Sequence, residues 1–165
     1  IHIESKRPRS RSKSQINYLN NHIDKLQIYF NDNLTYLIEM YKLFQENKLD
    51  ETIQHIETRI KEFKLSLTNE DGYKKMRTKY NEQKNPLDLF VLIAYSFNHQ
   101  IRFNNKHEFN NPFGRERSSF NTSMKLNLQK FIIKLKETNI SFANVCFNNF
   151  DLNFLNNKDF CITSK

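Results

Sequence analysis

Arg102, Asn104, Asn105, Lys106, Asn110, Arg115 and Arg117 crowd into one short stretch, and Phe103, Phe109, Phe113 and Phe120 are interleaved with them. These side chains suit the edge of a nucleic acid. Arginine donates twice to guanine, asparagine pairs with adenine in the major groove, and an apolar ring wedges beside a displaced base. A hairpin with a basic loop is also a common surface feature, so the residues alone leave DNA contact and a solvated loop both open. Asp32 is a second candidate. It follows an apolar stretch, Leu26 to Phe30, and precedes a helical pattern, so it stands just past a strand's carboxyl end. Acidic side chains there accept hydrogen bonds from ribose hydroxyls; an ordinary helix cap is the alternative.

Other chemistries lack their residues. The five histidines are dispersed, and none has an i, i+4 partner with an acidic residue between, so no metal site is expected. Cys146 and Cys161 stand apart, without a CxxC spacing, and read as reduced structural thiols. No serine sits in a glycine elbow. Gly72 and Gly114 are the chain's two glycines, too few for a phosphate-cradling loop.

The elements that must position these residues follow from periodicity. Leu34, Leu37, Ile38, Tyr41 and Leu43 to Phe44 recur at helical spacing after the Leu26–Phe30 strand. Ile53, Ile56, Ile60 and Phe63 form the stripe of a long amphipathic helix. Thr68 and Asp71 resemble the cap of the next, which carries Tyr73, Met76 and Tyr80. Asn85-Pro86 opens the almost wholly apolar run Leu87–Tyr95, whose cap and length favour a central helix, although periodicity alone does not exclude a buried strand. Gln100 to Phe109 reads as a hairpin with its tip at Asn104–His107, and Asn110–Arg117 as an irregular basic loop. Asn121–Ser123 caps a last long helix with Leu128, Phe131, Ile132 and Leu135 on its apolar face, and Ile140, Phe142 and Val145 suggest a short strand.

The chain has 165 residues, with 26 Lys and Arg against 18 Asp and Glu, a net charge of +8. That excess favours a polyanionic partner, either a nucleic acid or an anionic membrane surface. No apolar run approaches the roughly 18 residues needed to cross a bilayer, so a soluble cytoplasmic protein is expected. Residues 4–14 are basic, serine-rich and without apolar side chains, which predicts a mobile tail over residues 1–16. The first residue is isoleucine, so a processed product, an internal fragment or a trimmed chain is expected.

Leu92-Ile93-Ala94-Tyr95-Ser96-Phe97-Asn98, then Gln100-Ile101-Arg102-Phe103-Asn104, then Glu108-Phe109-Asn110-Asn111-Pro112-Phe113-Gly114-Arg115 resembles the signature of Dam-type adenine-specific DNA methyltransferases. The similarity extends over about residues 28–160. It implies an α/β, Rossmann-like methyltransferase fragment, predominantly helical here, with a helical target recognition domain carrying the β-hairpin. By this resemblance residues 17–45 are a remnant of the cofactor-binding domain, residues 46–135 are the recognition domain, and residues 136–165 return to the catalytic domain. Asp32 would hold the ribose of S-adenosylmethionine. Arg102, Asn104, Lys106, Asn110 and Arg115 would face double-stranded DNA, often at GATC in relatives.

Departures from the family pattern carry their own expectations. Residues 1–28 contain no glycine where the family's cofactor loop belongs, and Cys161-Ile162-Thr163-Ser164 stands where an Asp-Pro-Pro-Tyr motif would orient the flipped adenine. Cys146 replaces an aspartate expected at the cofactor's adenine. His107 takes a hairpin position where relatives often have glycine, which tolerates positive φ more readily. The expectation is a fragment that keeps DNA recognition without catalysis on its own. A stand-alone DNA-binding module and a nonfunctional remnant are the other classes.

Overall fold

The computed structural model describes residues 27–146 and Asn149. The elements are β1 (Ile28–Asn31), α1 (Thr35–Glu46), α2 (Leu49–Glu62), α3 (Glu70–Gln83), α4 (Pro86–Tyr95), a 3-10 turn (Phe97–His99), α5 (Thr122–Glu137) and β2 (Ile140–Ala143). The expected basic tail and the Leu152–Phe160 segment lie outside the described residues, as does Cys161. Among the described residues the architecture is mostly helical, with one small parallel sheet.

Asn85 accepts hydrogen bonds from the Leu87 and Asp88 amides, and Pro86 occupies the first turn, so the chain enters α4 at a defined residue. Its apolar run is then largely buried: Leu89, Val91 and Leu92 are fully inaccessible, Phe90 and Ile93 partly buried, with α1, α2 and α3 packed around them. Burial of each such side chain stabilises by about 1.5–3 kcal/mol. The Asn85 cap and Pro86 in the first turn, which a buried strand would not use, decide for the helix over the buried-strand alternative.

Asp88 is the exception in that run, a carboxylate with no exposed surface. Its Oδ1 meets His55 Nε2 at 2.6 Å and Arg59 Nε at 2.9 Å, which ties α4 to α2. Arg59 continues to Glu62 at 2.7 Å, and Glu62 to Lys79 at 2.9 Å, which extends the tie to α3. Both partners meet Oδ1, which offsets part of the cost of burying the charge, while Oδ2 is buried without a hydrogen-bond partner.

Parallel strands need a long crossover, and here it runs from α1 through α5. Ile28 lies opposite Ile140 and Asn31 opposite Ala143. The Phe30 and Phe142 rings share one face and both meet Tyr41 of α1, while Tyr29 on the other face is half exposed.

Three expectations need correction. The α3 cap is Asn69, not Thr68: its Oδ1 accepts from the Gly72 amide at 3.0 Å while its Nδ2 donates to the Lys64 carbonyl at 2.7 Å. A carboxamide makes both bonds, and a hydroxyl has no second arm for them. Phe131 is 42% exposed, because α5 packs through Leu128, Ile132 and Leu135 and leaves Phe131 at the margin of that stripe. Val145 lies past the end of β2, where the Asn31 carboxamide bonds both its amide and its carbonyl.

Candidate nucleic-acid interface

The hairpin forms, in a minimal version. Phe103 and Phe109 make a single antiparallel bridge, the Arg102 carbonyl accepts from the Asn110 amide at 2.9 Å, and the Glu108 carbonyl accepts from the Asn104 amide at 2.9 Å. The tip closes with a bond from the His107 amide to the Asn104 carbonyl. His107 has φ 57°, the left-handed residue that a bulged three-residue hairpin loop requires. The turn keeps the glycine-type geometry despite the histidine.

Asn104 builds this tip. Its Oδ1 accepts from the Lys106 amide at 2.9 Å and the Glu108 amide at 3.0 Å, and its Nδ2 donates to Glu108 at 2.8 Å. Asn110 is half-buried, and its Oδ1 is enclosed without a hydrogen-bond partner. Arg102 and Lys106 point into solvent, as do Arg115 and Arg117 in the following loop. Arg115 also pairs with Glu70 at 2.9 Å.

The aromatic residues turn inward, which corrects the expectation that they wedge beside a base. Phe109 is 1% exposed, Phe103 stacks on Tyr36 at 4.7 Å, Phe113 packs on Tyr73, and Phe120 on Phe90. They are the floor of the strip. Asn111 is buried too: its Nδ2 donates to the Phe97 and Gln100 carbonyls at 3.0 and 2.9 Å, and its carbonyl accepts from Tyr73 Oη at 2.9 Å. Burial pushes the Tyr73 phenol well above its ordinary pKa, so it remains a donor.

Gly114 and Ser118 complete the loop's inner side. A Cβ on Gly114 would stand 2.3 Å from Ser118 Oγ and 2.7 Å from the Ser96 carbonyl oxygen. The loop closes by that contact, with the Gly114 amide on the Tyr95 carbonyl at 2.9 Å. The motif thus divides by depth. Phe109, Asn111 and Gly114 build the strip, and the basic residues on either side of them remain outside.

The family model for D12 class N6 adenine-specific DNA methyltransferases matches residues 16–161. The chain belongs to that family. It is 47% identical over 125 residues to the type II methyltransferase M.FokI of Planomicrobium okeanokoites, covering 76% of this chain and 19% of that protein. It is also 47% identical over 131 residues to the modification methylase StsI of Streptococcus sanguinis, covering 79% of this chain and 20% of that one. The modification methylase LlaI of Lactococcus lactis subsp. lactis is 26% identical over 129 residues, 76% of this chain and 20% of that protein. The chain spans about a fifth of the length of these curated relatives.

Enzymes of this family are methyltransferases, which implies the methyl donor S-adenosylmethionine, and Asp32 is the residue to test against it. Asp32 follows β1 at the sheet's carboxyl end, where the Asn144 side chain bonds its carbonyl at 2.8 Å. Its Oδ1 accepts from the Leu34 amide at 2.7 Å, a local turn that precedes α1, and α1 itself starts without a side-chain cap. An acceptor at that end of a parallel pair fits ribose hydroxyls. Cys146 is an exposed free thiol shortly after β2, a weak hydrogen-bonding group. Among the described residues, Asp32 is an acceptor whose place suits a ribose hydroxyl.

Sequence reasoning missed Asn81, Lys84, Tyr73 and Arg77, which hold the strip from α3. Tyr73 and Arg77 reach the Asn111 carbonyl, Asn81 reaches Phe109, and Lys84 reaches His107. Their spacing along α3 was the available signal, since i, i+3 and i, i+4 residues share a face. No helix among the described residues is long and apolar enough to cross a membrane.

Proposed function

We propose that this chain is the DNA-reading part of an adenine-specific DNA methyltransferase, and that it presents the hairpin and following loop to the major groove of duplex DNA. The observation that carries this reading is the division of the strip, in which Arg102, Lys106, Arg115 and Arg117 stay exposed above a floor of buried motif residues. All four cations suit phosphates, and the guanidinium forks of Arg102 and Arg115 also suit a guanine edge. Asn104 and Asn110 act with them, the first by fixing the tip. Methyl transfer from S-adenosylmethionine to the adenine amino nitrogen is assigned to the full-length enzyme, with a Rossmann-like domain into which β1, β2 and Asp32 fit. The recognition domain corresponds to residues 46–135.

Selection from a randomised duplex pool, followed by anisotropy with the enriched and scrambled duplexes across a salt series, tests the reading. Enrichment of one short sequence whose preference persists as salt rises is the expected result, because phosphate contacts weaken with salt and base contacts separate the sequences. Binding that is equal for all duplexes and vanishes with salt would overturn it.

Glu70 supplies a further prediction. Its carboxyl is held below the usual carboxylate range by Lys74 and Arg115, so it is ionised at neutral pH and competes with a phosphate for both cations. Glu70→Gln is expected to tighten DNA binding at low salt several-fold and to steepen the salt slope by about one contact. An unchanged slope would show that Arg115 meets no phosphate.

A further inference from the structure

We propose that Asn81 and Lys84, at the carboxyl end of α3, are positioning residues that set the pose of the hairpin and thereby its sequence selectivity. This rests on the DNA-reading function proposed above. The argument begins with the hairpin's own weakness. One bridge and a short tip do not hold a hairpin steady in water. Its pose must come from outside.

Asn81 supplies the first contact. Its Oδ1 accepts from the Phe109 amide at 2.7 Å, and its Nδ2 donates to the Phe109 carbonyl at 3.1 Å. One carboxamide thus bonds both backbone groups of a residue that is 1% exposed, as a neighbouring strand would. Without it both groups would be buried and unpaired.

Lys84 supplies the second contact, at the tip. It ends α3 in the left-handed conformation, φ 53°, which turns its side chain back toward the hairpin. Its ammonium lies 5.2 Å from the Tyr36 ring centroid, 5.2 Å from Tyr80 and 5.9 Å from Phe103. From there it donates to the His107 carbonyl at 2.6 Å and to Asn81 Oδ1 at 3.3 Å. Three rings and two oxygens hold the cation in place, so its donors are turned to the protein's own groups and not to a phosphate. Desolvation lowers its pKa while Glu108 opposes that shift.

The two contacts grip different points of the hairpin, Phe109 on the returning arm and His107 at the tip. Arg102 lies on the other arm, across from Asn110, and Lys106 adjoins His107. Loosening either contact shifts these side chains relative to a base edge by more than a bidentate hydrogen bond tolerates. Phosphate attraction, being long-ranged and undirected, survives such a shift.

The experiment compares Asn81→Leu, Lys84→Met and Lys84→Arg with the wild-type chain, using the enriched and scrambled duplexes across a salt series. Hydrogen exchange over residues 101–110 and thermal unfolding are measured alongside. Lys84→Met keeps an unbranched apolar stem among the rings, so it is expected to melt near the wild type. Discrimination between the duplexes should fall about tenfold, the effect of roughly one mismatched base pair, with the salt slope unchanged and exchange at the hairpin faster. Lys84→Arg should recover part of the discrimination. Unchanged discrimination and unchanged exchange in both Asn81→Leu and Lys84→Met would overturn the proposal, and so would a salt slope reduced by one contact in Lys84→Met, which would make Lys84 a phosphate ligand. If the wild-type chain shows no discrimination, the DNA-reading function fails, and hydrogen exchange still decides whether these residues hold the hairpin.

Discussion

Gly114→Ala is expected to lower the unfolding free energy by about 2–3 kcal/mol, and to abolish any sequence preference in DNA binding. The added methyl would lie 2.3 Å from Ser118 Oγ, 2.6 Å from Ser118 Cβ and 2.7 Å from the Ser96 carbonyl oxygen. Only the hydroxyl can rotate away. Ser118 Cβ is fixed to its backbone, and Ser96 has no exposed surface and pairs with Phe113 across an antiparallel bridge. Relief therefore requires the 113–118 loop to lift off α4, which would break the bond from the Gly114 amide to Tyr95. Arg115 and Arg117 would move with it. Thermal unfolding is the check, with a fall of roughly 10 °C in the midpoint expected. A variant that melts with the wild type would show that the close approach at Gly114 is not needed. No left-handed strain is involved, because neither glycine has positive φ.

The helices were legible in the sequence because their signals are local. Asn85-Pro86 marked the start of α4, and the three-four spacing of Ile53, Ile56 and Ile60 marked α2, since cap chemistry and helical period act over a few residues. Orientation within the hairpin was not local. Phe103 and Phe109 have the composition of wedging residues, and only the folded chain shows Tyr36 and Tyr80 waiting beneath them. Asp88 was hidden for the same reason: nothing in Leu87–Tyr95 reveals that His55 and Arg59 come to meet its carboxylate. Asn81 and Lys84 look like the solvated end of a polar helix until the hairpin returns onto them. Asp32 shows the limit from the other side, because its place after a strand could be read while its turn onto the Leu34 amide, which does not cap α1, could not.

The largest expected effect on binding comes from removing the exposed cations of the strip together, as Arg102→Ala, Lys106→Ala, Arg115→Ala and Arg117→Ala in one chain. Each cation that meets a phosphate contributes about 0.9 to the slope of log affinity against log salt, so four contacts predict a loss of about 3–4 in slope and roughly a thousandfold in affinity at 0.1 M salt. Arg115 will contribute least, because Glu70 already neutralises part of its charge. Folding should be spared, since all four side chains are exposed and the strip is held by Phe109, Asn111 and Gly114 below them. The decisive comparison is a second variant with the same loss of charge elsewhere: Lys42, Lys48, Lys61 and Lys130, all exposed, replaced by alanine. Both variants carry the same net charge, so any difference between them measures where DNA lies. A slope lost only in the strip variant would place the duplex on the hairpin and loop; equal losses would mean that the overall excess of positive charge, not this surface, governs binding.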